Sequence, residues 1–194
     1  MAQSPRWKTA LHISLLAGVC AAAWYLAARQ VQARQVPAQQ IVDHVEVPRL
    51  LGTWYEISRL PNFFQSEDWI GARDHYEPGE NGQLKVFYKY YDKHFDQPEK
   101  VMEARMWRDA RDEPSGKFKI QFFWPIVADY WIIDLGPNYE YLVVGYPNRE
   151  MLWIMSRTPE LDDTSYAQIL ARLEAQHYDT SKLIKIPHRR PDSD

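Results

Sequence analysis

The 194-residue chain is 45% apolar and carries eight Trp and twelve Tyr, enough for one domain with a substantial core, rich in strand-favouring rings, and too short for two comfortable domains. Its formal charge of -3 lacks the concentrated positive field that displaces counterions from phosphates, which argues against a nucleic-acid partner. The one cysteine, Cys20, cannot close a bridge within the chain, so packing must supply the stability.

In chain order, Arg6 and Lys8 precede Thr9 to Ala28, twenty residues without an acid or a strong base. At the helical rise that length can cross a bilayer core. Basic residues ahead of an apolar run hold that end in the cytoplasm and send the rest outward. Residues 1–28 therefore read as a signal or membrane-anchor segment, and three versions stay open: a cleaved signal peptide, an uncleaved anchor, and a lipoprotein signal acylated at Cys20. Leu16-Ala17-Gly18-Val19-Cys20 resembles a lipoprotein box with one residue inserted, and Val19 stands where a small residue is usual. Cys20 is equally at home as a small apolar residue of a membrane helix. Residues 29–47, rich in Gln, Ala and Arg, read as a linker.

From Gly52 turn signals recur at short intervals between alternating runs, the pattern of an antiparallel all-β domain. Eight strands are expected: Thr53 to Arg59, Gly71 to Glu77, Gln83 to Tyr91, Lys100 to Arg108, Lys117 to Phe123, Tyr130 to Leu135, Glu140 to Tyr146 and Met151 to Arg157. Pro78 to Gly82 and Asp112 to Gly116 have turn chemistry, because Gly and Asn accept positive φ and Pro fixes the entry angle. Connections this short imply neighbours in order, an up-and-down arrangement. Phe118, Ile120 and Phe122 share one face, as do Met102, Ala104 and Met106, and Leu84, Val86, Tyr88 and Tyr90; these faces turn inward. Eight strands with one apolar face close into a barrel, a size at which the interior is either packed or holds one small ligand. After Pro159, Asp163 or Thr164 can cap a helix whose Tyr166, Ile169, Leu170 and Leu173 form one stripe to be buried against the outside of the sheet.

Gly52-Thr53-Trp54 opening the first strand, with Arg157 ending the eighth, resembles the lipocalin family. Gly52-Thr-Trp-Tyr-Glu-Ile-Ser-Arg59, Phe122-Phe-Trp-Pro125, Asp129 to Leu135, Leu152 to Pro159 and Tyr178 to Leu183 follow in order the pattern of bacterial lipocalins of the outer-membrane lipoprotein type, which are similar to apolipoprotein D. Ile133-Asp134-Leu135 departs from the family's usual second signature. The resemblance implies an eight-stranded antiparallel up-and-down barrel with a C-terminal helix over residues 48–188, followed by a tail at 189–194. It implies that Trp54 plugs the closed end, with Gly52 making room and Arg157 lying across the indole. It also places Tyr76, Tyr88, Phe122, Tyr130, Trp153 and Met155 towards a ligand, and Phe63 and Phe64 on a loop across the open mouth, as a lid or anchored on the rim.

The function so implied is binding of small hydrophobic ligands, fatty acids or lysophospholipids, for lipid storage or transport in the bacterial cell envelope. The barrel would face the periplasm, held by residues 9–28 or by lipidation at Cys20, with no cofactor. Lys89, Arg73, Arg105 and Lys93 are candidates to meet a head group. Two alternatives remain: an enzyme on this fold acting on a lipophilic substrate, and a solid barrel serving as an interaction module. The barrel region has no Cys and no Gly-x-Ser-x-Gly, so no catalytic residue is assigned; Glu56, His75 beside Asp74, and Asp134 read as rim or solvent-facing groups. The six His lack the short pair spacing of a zinc site.

Overall fold

The computed structural model describes residues 37–109 and 116–189. The expected leader with Cys20, residues 29–36 of the linker, the turn at Asp112 to Ser115 and the tail from Arg190 lie outside the described residues. The described residues from Gln39 onward form one compact unit.

Among the described residues the order is α1 (Val47–Leu50), β1 (Gly52–Arg59), β2 (Trp69–Pro78), β3 (Leu84–Asp92), β4 (Lys100–Arg108), β5 (Lys117–Phe123), β6 (Ile126–Leu135), β7 (Tyr141–Gly145), β8 (Leu152–Ser156), α2 (Asp163–Ala175) and β9 (Ile184–Lys185). Each of β1 to β8 pairs antiparallel with its neighbour in sequence, and β1 pairs with both β2 and β8, so the sheet closes on itself. Closure is shared along β1. Gly52 to Tyr55 pair with β2, Tyr55 to Arg59 pair with β8, and Ser58 and Arg59 also take the short β9. The expected all-β meander and its C-terminal helix are both present. β9 is an addition, a two-residue segment with no alternation to announce it.

The inward faces follow the alternation of the sequence. Tyr76, Leu84, Val86, Met106, Phe118, Ile120, Tyr130, Ile132, Leu142, Val144 and Met155 share one core. The outward apolar residues of β6, β7 and β8, namely Ile133, Val143, Leu152 and Ile154, form a second core with Ile169, Leu173 and Tyr178. A helix with one apolar stripe is stable only where a sheet accepts that stripe, and α2 lies on this flank. Its cap is Asp162, one residue before the expected Asp163 or Thr164: the Ser165 amide donates to Asp162 Oδ1 at 2.9 Å. Asp162, Asp163 and Thr164 all have capping side chains, and the extended backbone at Asp162 makes the choice.

The base of the barrel is closed by Trp54, fully buried at the start of β1. Its indole N–H donates to Leu50 O at 2.7 Å. The Arg157 guanidinium lies 3.7 Å from the ring centroid and donates through Nη1 to Leu51 O at 2.9 Å and Thr53 O at 3.1 Å, and through Nη2 to Arg49 O. A cation on an indole face gains attraction from the ring quadrupole, and its edge N–H groups satisfy carbonyls that the strand ladder leaves over. Gly52 has φ +93, and a side chain there would approach Arg157 Nη1 at 3.4 Å. The positive φ favours glycine at this position, since the contact a side chain would make is an ordinary one.

Trp54→Ala should lower stability to urea by about 3–5 kcal/mol, the usual cost of emptying a buried aromatic site. The midpoint of urea unfolding reads this directly; a loss below about 1 kcal/mol would mean that the base is held by other contacts.

Candidate functional site

The six residues expected to face a ligand all lie on the inner side of the barrel. Tyr76 comes from β2, Tyr88 from β3, Phe122 from β5, Tyr130 from β6, and Trp153 and Met155 from β8. They do not surround a simple apolar chamber. The Tyr76 and Tyr130 hydroxyls hydrogen-bond to each other between β2 and β6, and the Tyr130 hydroxyl reaches Met155 Sδ at 4.0 Å. The middle of the barrel is thus bridged. Nearer the mouth, Tyr88 and Tyr90 cluster with Trp69, Met102 and Phe122, and Trp69 stacks on Tyr90 at 3.8 Å between centroids.

A polar network that the sequence reading did not anticipate occupies the space between these rings. Glu56 and Arg59 are both fully buried and pair at 3.1 Å between Arg59 Nη1 and Glu56 Oε1. Tyr88 donates its hydroxyl to Glu56 Oε2 at 3.2 Å, and Tyr76 donates to Asp74 Oδ2 at 3.1 Å. The loop between β1 and β2 then sends Gln65 inward. Its Nε2 donates to the Tyr88 hydroxyl at 2.6 Å, and its Oε1 accepts from Trp153 Nε1 at 2.8 Å and from Asn62 Nδ2 at 2.7 Å. Arg59 Nη2 fixes the same loop by donating to Ser66 O at 2.5 Å. Among the described residues Arg59 Nε has no hydrogen-bond partner.

Two expectations need correction here. Glu56 is neither on the rim nor solvent-facing: it shares the inward parity of Trp54, two residues before it. Asp74 is likewise not a rim or solvent-facing group, although its neighbour His75 is outward, because successive residues on a strand point to opposite faces. Asp74 is buried, whereas His75 Nδ1 lies on the outside, 2.9 Å from Thr53 Oγ1. Asp134 faces Arg172 of α2, with 2.8 Å between Nε and Oδ2. Parity along β1 and β2 would have placed Glu56 and Asp74 inside. Arg59 had no such signal, because the β1–β8 register shifts between Glu56 and Ser58 and turns it inward out of phase.

The proposed head-group residues are dispersed. Arg73 pairs with Glu99, Lys93 with Asp68 at 3.5 Å, and Arg105 donates through Nε to Gln121 Oε1 at 2.8 Å; Lys89 lies opposite Arg73. Of the two loop aromatics, Phe63 stands in solvent and Phe64 sits 6.0 Å from the Trp153 ring, so the inserted residue of this loop is Gln65 rather than a ring.

Burial drives the electrostatics of this interior. It lifts the Glu56 carboxyl above the usual range, against the pull of Arg59 and the bonds from Tyr88 and Gln65. Asp74 has no cation to offset its desolvation, and the charge of Glu56 adds to it; its pKa is pushed up to about 7 from the usual 3.8, with Tyr76 opposing.

An eight-stranded meander closed on itself, plugged by an indole at one end and covered by an inserted loop at the other, defines a lipocalin-type barrel protein. The chain belongs to that family: the lipocalin-like domain model matches residues 45–188. The outer membrane lipoprotein Blc of Citrobacter freundii is 32% identical over 152 residues, covering 74% of this chain and 80% of its own. Temperature-induced lipocalin-1 of Arabidopsis thaliana is 28% identical over 162 residues, 80% of this chain and 83% of its own. Among solved structures, insecticyanin of the tobacco hornworm Manduca sexta superposes with a TM-score of 0.64 at 18% identity, over 79% of this chain and 86% of its own. At that identity the superposition shows the fold.

A native Asp74 that keeps its proton to about pH 7, when the unfolded one releases it near 3.8, contributes stability that is complete at low pH and lost as pH rises between those values. Wild-type protein should therefore lose roughly 2 kcal/mol between about pH 5 and pH 8 in urea titrations, and Asp74→Asn should flatten that slope. Equal slopes in the two proteins would show that Asp74 titrates as it does in water.

Proposed function

We propose that this lipocalin binds single-chain lipids, fatty acids or lysophospholipids, in the upper half of its barrel, and stores or carries them in the bacterial cell envelope. The observation that carries the reading is the nature of the plug. The upper interior is filled by Gln65, a side chain from a loop, held by hydrogen bonds to Tyr88 and Trp153. Moving that loop exposes Tyr88, Tyr90, Met102, Phe122 and Trp153 without breaking any pair of the strand ladder. Rings and a thioether adapt to an alkyl chain at little cost, and each methylene taken from water contributes about 0.8 kcal/mol.

The Tyr76–Tyr130 bridge sets the floor of this space, and Arg59, with an unused Nε–H beside the displaced loop, is the cation best placed for an anionic head group. Relatives named outer membrane lipoprotein support an envelope setting. There the barrel would stand in the periplasm, tethered by residues 9–28 or by an acyl group on Cys20. Family members are generally binding or transport proteins, which supports a carrier over a catalyst. The inner carboxylates, committed to Arg59 and to tyrosine hydroxyls, have a structural use already.

Residues 39–194, produced alone and stripped of lipid, should show saturable quenching of tryptophan emission by fatty acids. Affinity should rise about fourfold per added methylene until the chain reaches the tyrosine floor. Gln65→Ala should tighten binding by removing the competitor. Absence of saturation, or affinity independent of chain length, would refute the proposal.

A further inference from the structure

The hairpin joining β5 to β6 carries an apolar tip for which the carrier reading has no use. From Phe122 to Ala128 there is no charged residue. Phe123 is 67% exposed, Trp124 85%, Ile126 70% and Val127 46%. Alternate residues of a hairpin point to opposite faces, so exposure of all four means that neither face of the tip is packed on the fold. Phe63, 92% exposed, and Phe64 lie on the β1–β2 loop. In an up-and-down meander the connections after odd-numbered strands stand at one end, so both groups rim the mouth. A soluble surface seldom leaves large apolar side chains grouped in this way without a partner.

We infer that the rim of the mouth docks on a lipid bilayer, with the Phe123–Val127 tip entering the boundary between head groups and acyl chains. A second protein would need a broad complementary face with directed polar contacts. This tip is a projecting turn whose side chains, the Trp124 indole apart, offer no hydrogen-bonding group, and it suits a soft medium that takes its shape from the insert. Tryptophan prefers that boundary, where the ring is in hydrocarbon and its N–H stays wet.

Charge agrees with the assignment. An open cleft of about 550 Å³ beside the tip is lined by Phe122 and Trp124 together with Lys85, Arg105 and Glu103, two cations against one acid. Lys85 and Arg105 are direct cross-strand partners. Neither has an ion pair among the described residues, and the Arg105 guanidinium bonds the neutral Gln121. Cations at the base of an apolar insert are placed to meet lipid phosphates, each contributing about 1 kcal/mol at an anionic surface. The docking does not depend on what the barrel carries, although a docked mouth would let a lipid pass between bilayer and barrel without crossing water.

The test uses the full-length chain with a genetically encoded dansyl amino acid replacing Trp124 or, as reference at the opposite end of the barrel, the exposed Asn138. Vesicles of phosphatidylethanolamine and phosphatidylglycerol carry a spin-label quencher on the acyl chains. Emission at position 124 should shift to the blue and be quenched, emission at position 138 should do neither, and Phe123→Ser with Ile126→Ser should abolish the response. Lys85→Glu with Arg105→Glu should weaken it on vesicles containing phosphatidylglycerol. Unchanged emission at 124, or equal quenching at both positions, overturns the inference. So does a blue shift before vesicles are added that grows with protein concentration, since the tip would then meet a second copy of the chain. Fatty-acid quenching measured separately on the same protein reports the carrier reading independently.

Discussion

The Arg157 guanidinium lying on the Trp54 ring is the contact on which the rest of the barrel depends. A cylinder of eight strands has two open ends, and here the first is sealed by packed side chains and the second by a loop. Arg157 joins the last strand to the first through the carbonyls of Leu51 and Thr53, while Trp54 fills the axis between them. Stacking, hydrogen bonding and burial coincide at one place, which leaves the mouth to be closed by a loop.

That loop closes on a polar interior. A buried ion pair is costly to desolvate and is kept where its remaining bonds are satisfied. Here Glu56 is satisfied by Arg59 and Tyr88, whereas Arg59 Nε–H has no partner among the described residues. The network therefore holds the loop in place with an incomplete set of bonds. On the proposed function, an arriving anionic group would complete the set on Arg59 as Gln65 leaves, which would make the closed conformation a competitor of the ligand rather than a barrier to it.

The sequence made the meander legible because β3, β4 and β5 keep an apolar face along most of their length, and a hairpin chain of such strands closes with few alternatives. Asp74 and Glu56 were harder to place. Their parity points inward, but the cost of burying a carboxylate argues outward, and only the tyrosine hydroxyls and Arg59 around them settle the conflict. Arg59 itself was illegible, since a register shift in β1 inverts the phase that alternation relies on. The six expected pocket residues lie on the inner face, yet nothing in their spacing announced that Tyr76 and Tyr130 bond to each other between β2 and β6, nor that Gln65 rather than Phe63 or Phe64 enters the mouth.

The central claim is that the barrel accepts an alkyl chain by exchanging it for Gln65. A crystal structure of residues 39–194 grown with a sixteen-carbon fatty acid tests it most directly. The account predicts continuous density for the chain between Tyr88 and Trp153, ending above the Tyr76–Tyr130 bridge, with Gln65 withdrawn and the carboxylate on Arg59. Gln65 still bonded to Tyr88 and Trp153, with lipid found only outside the strands, would contradict it.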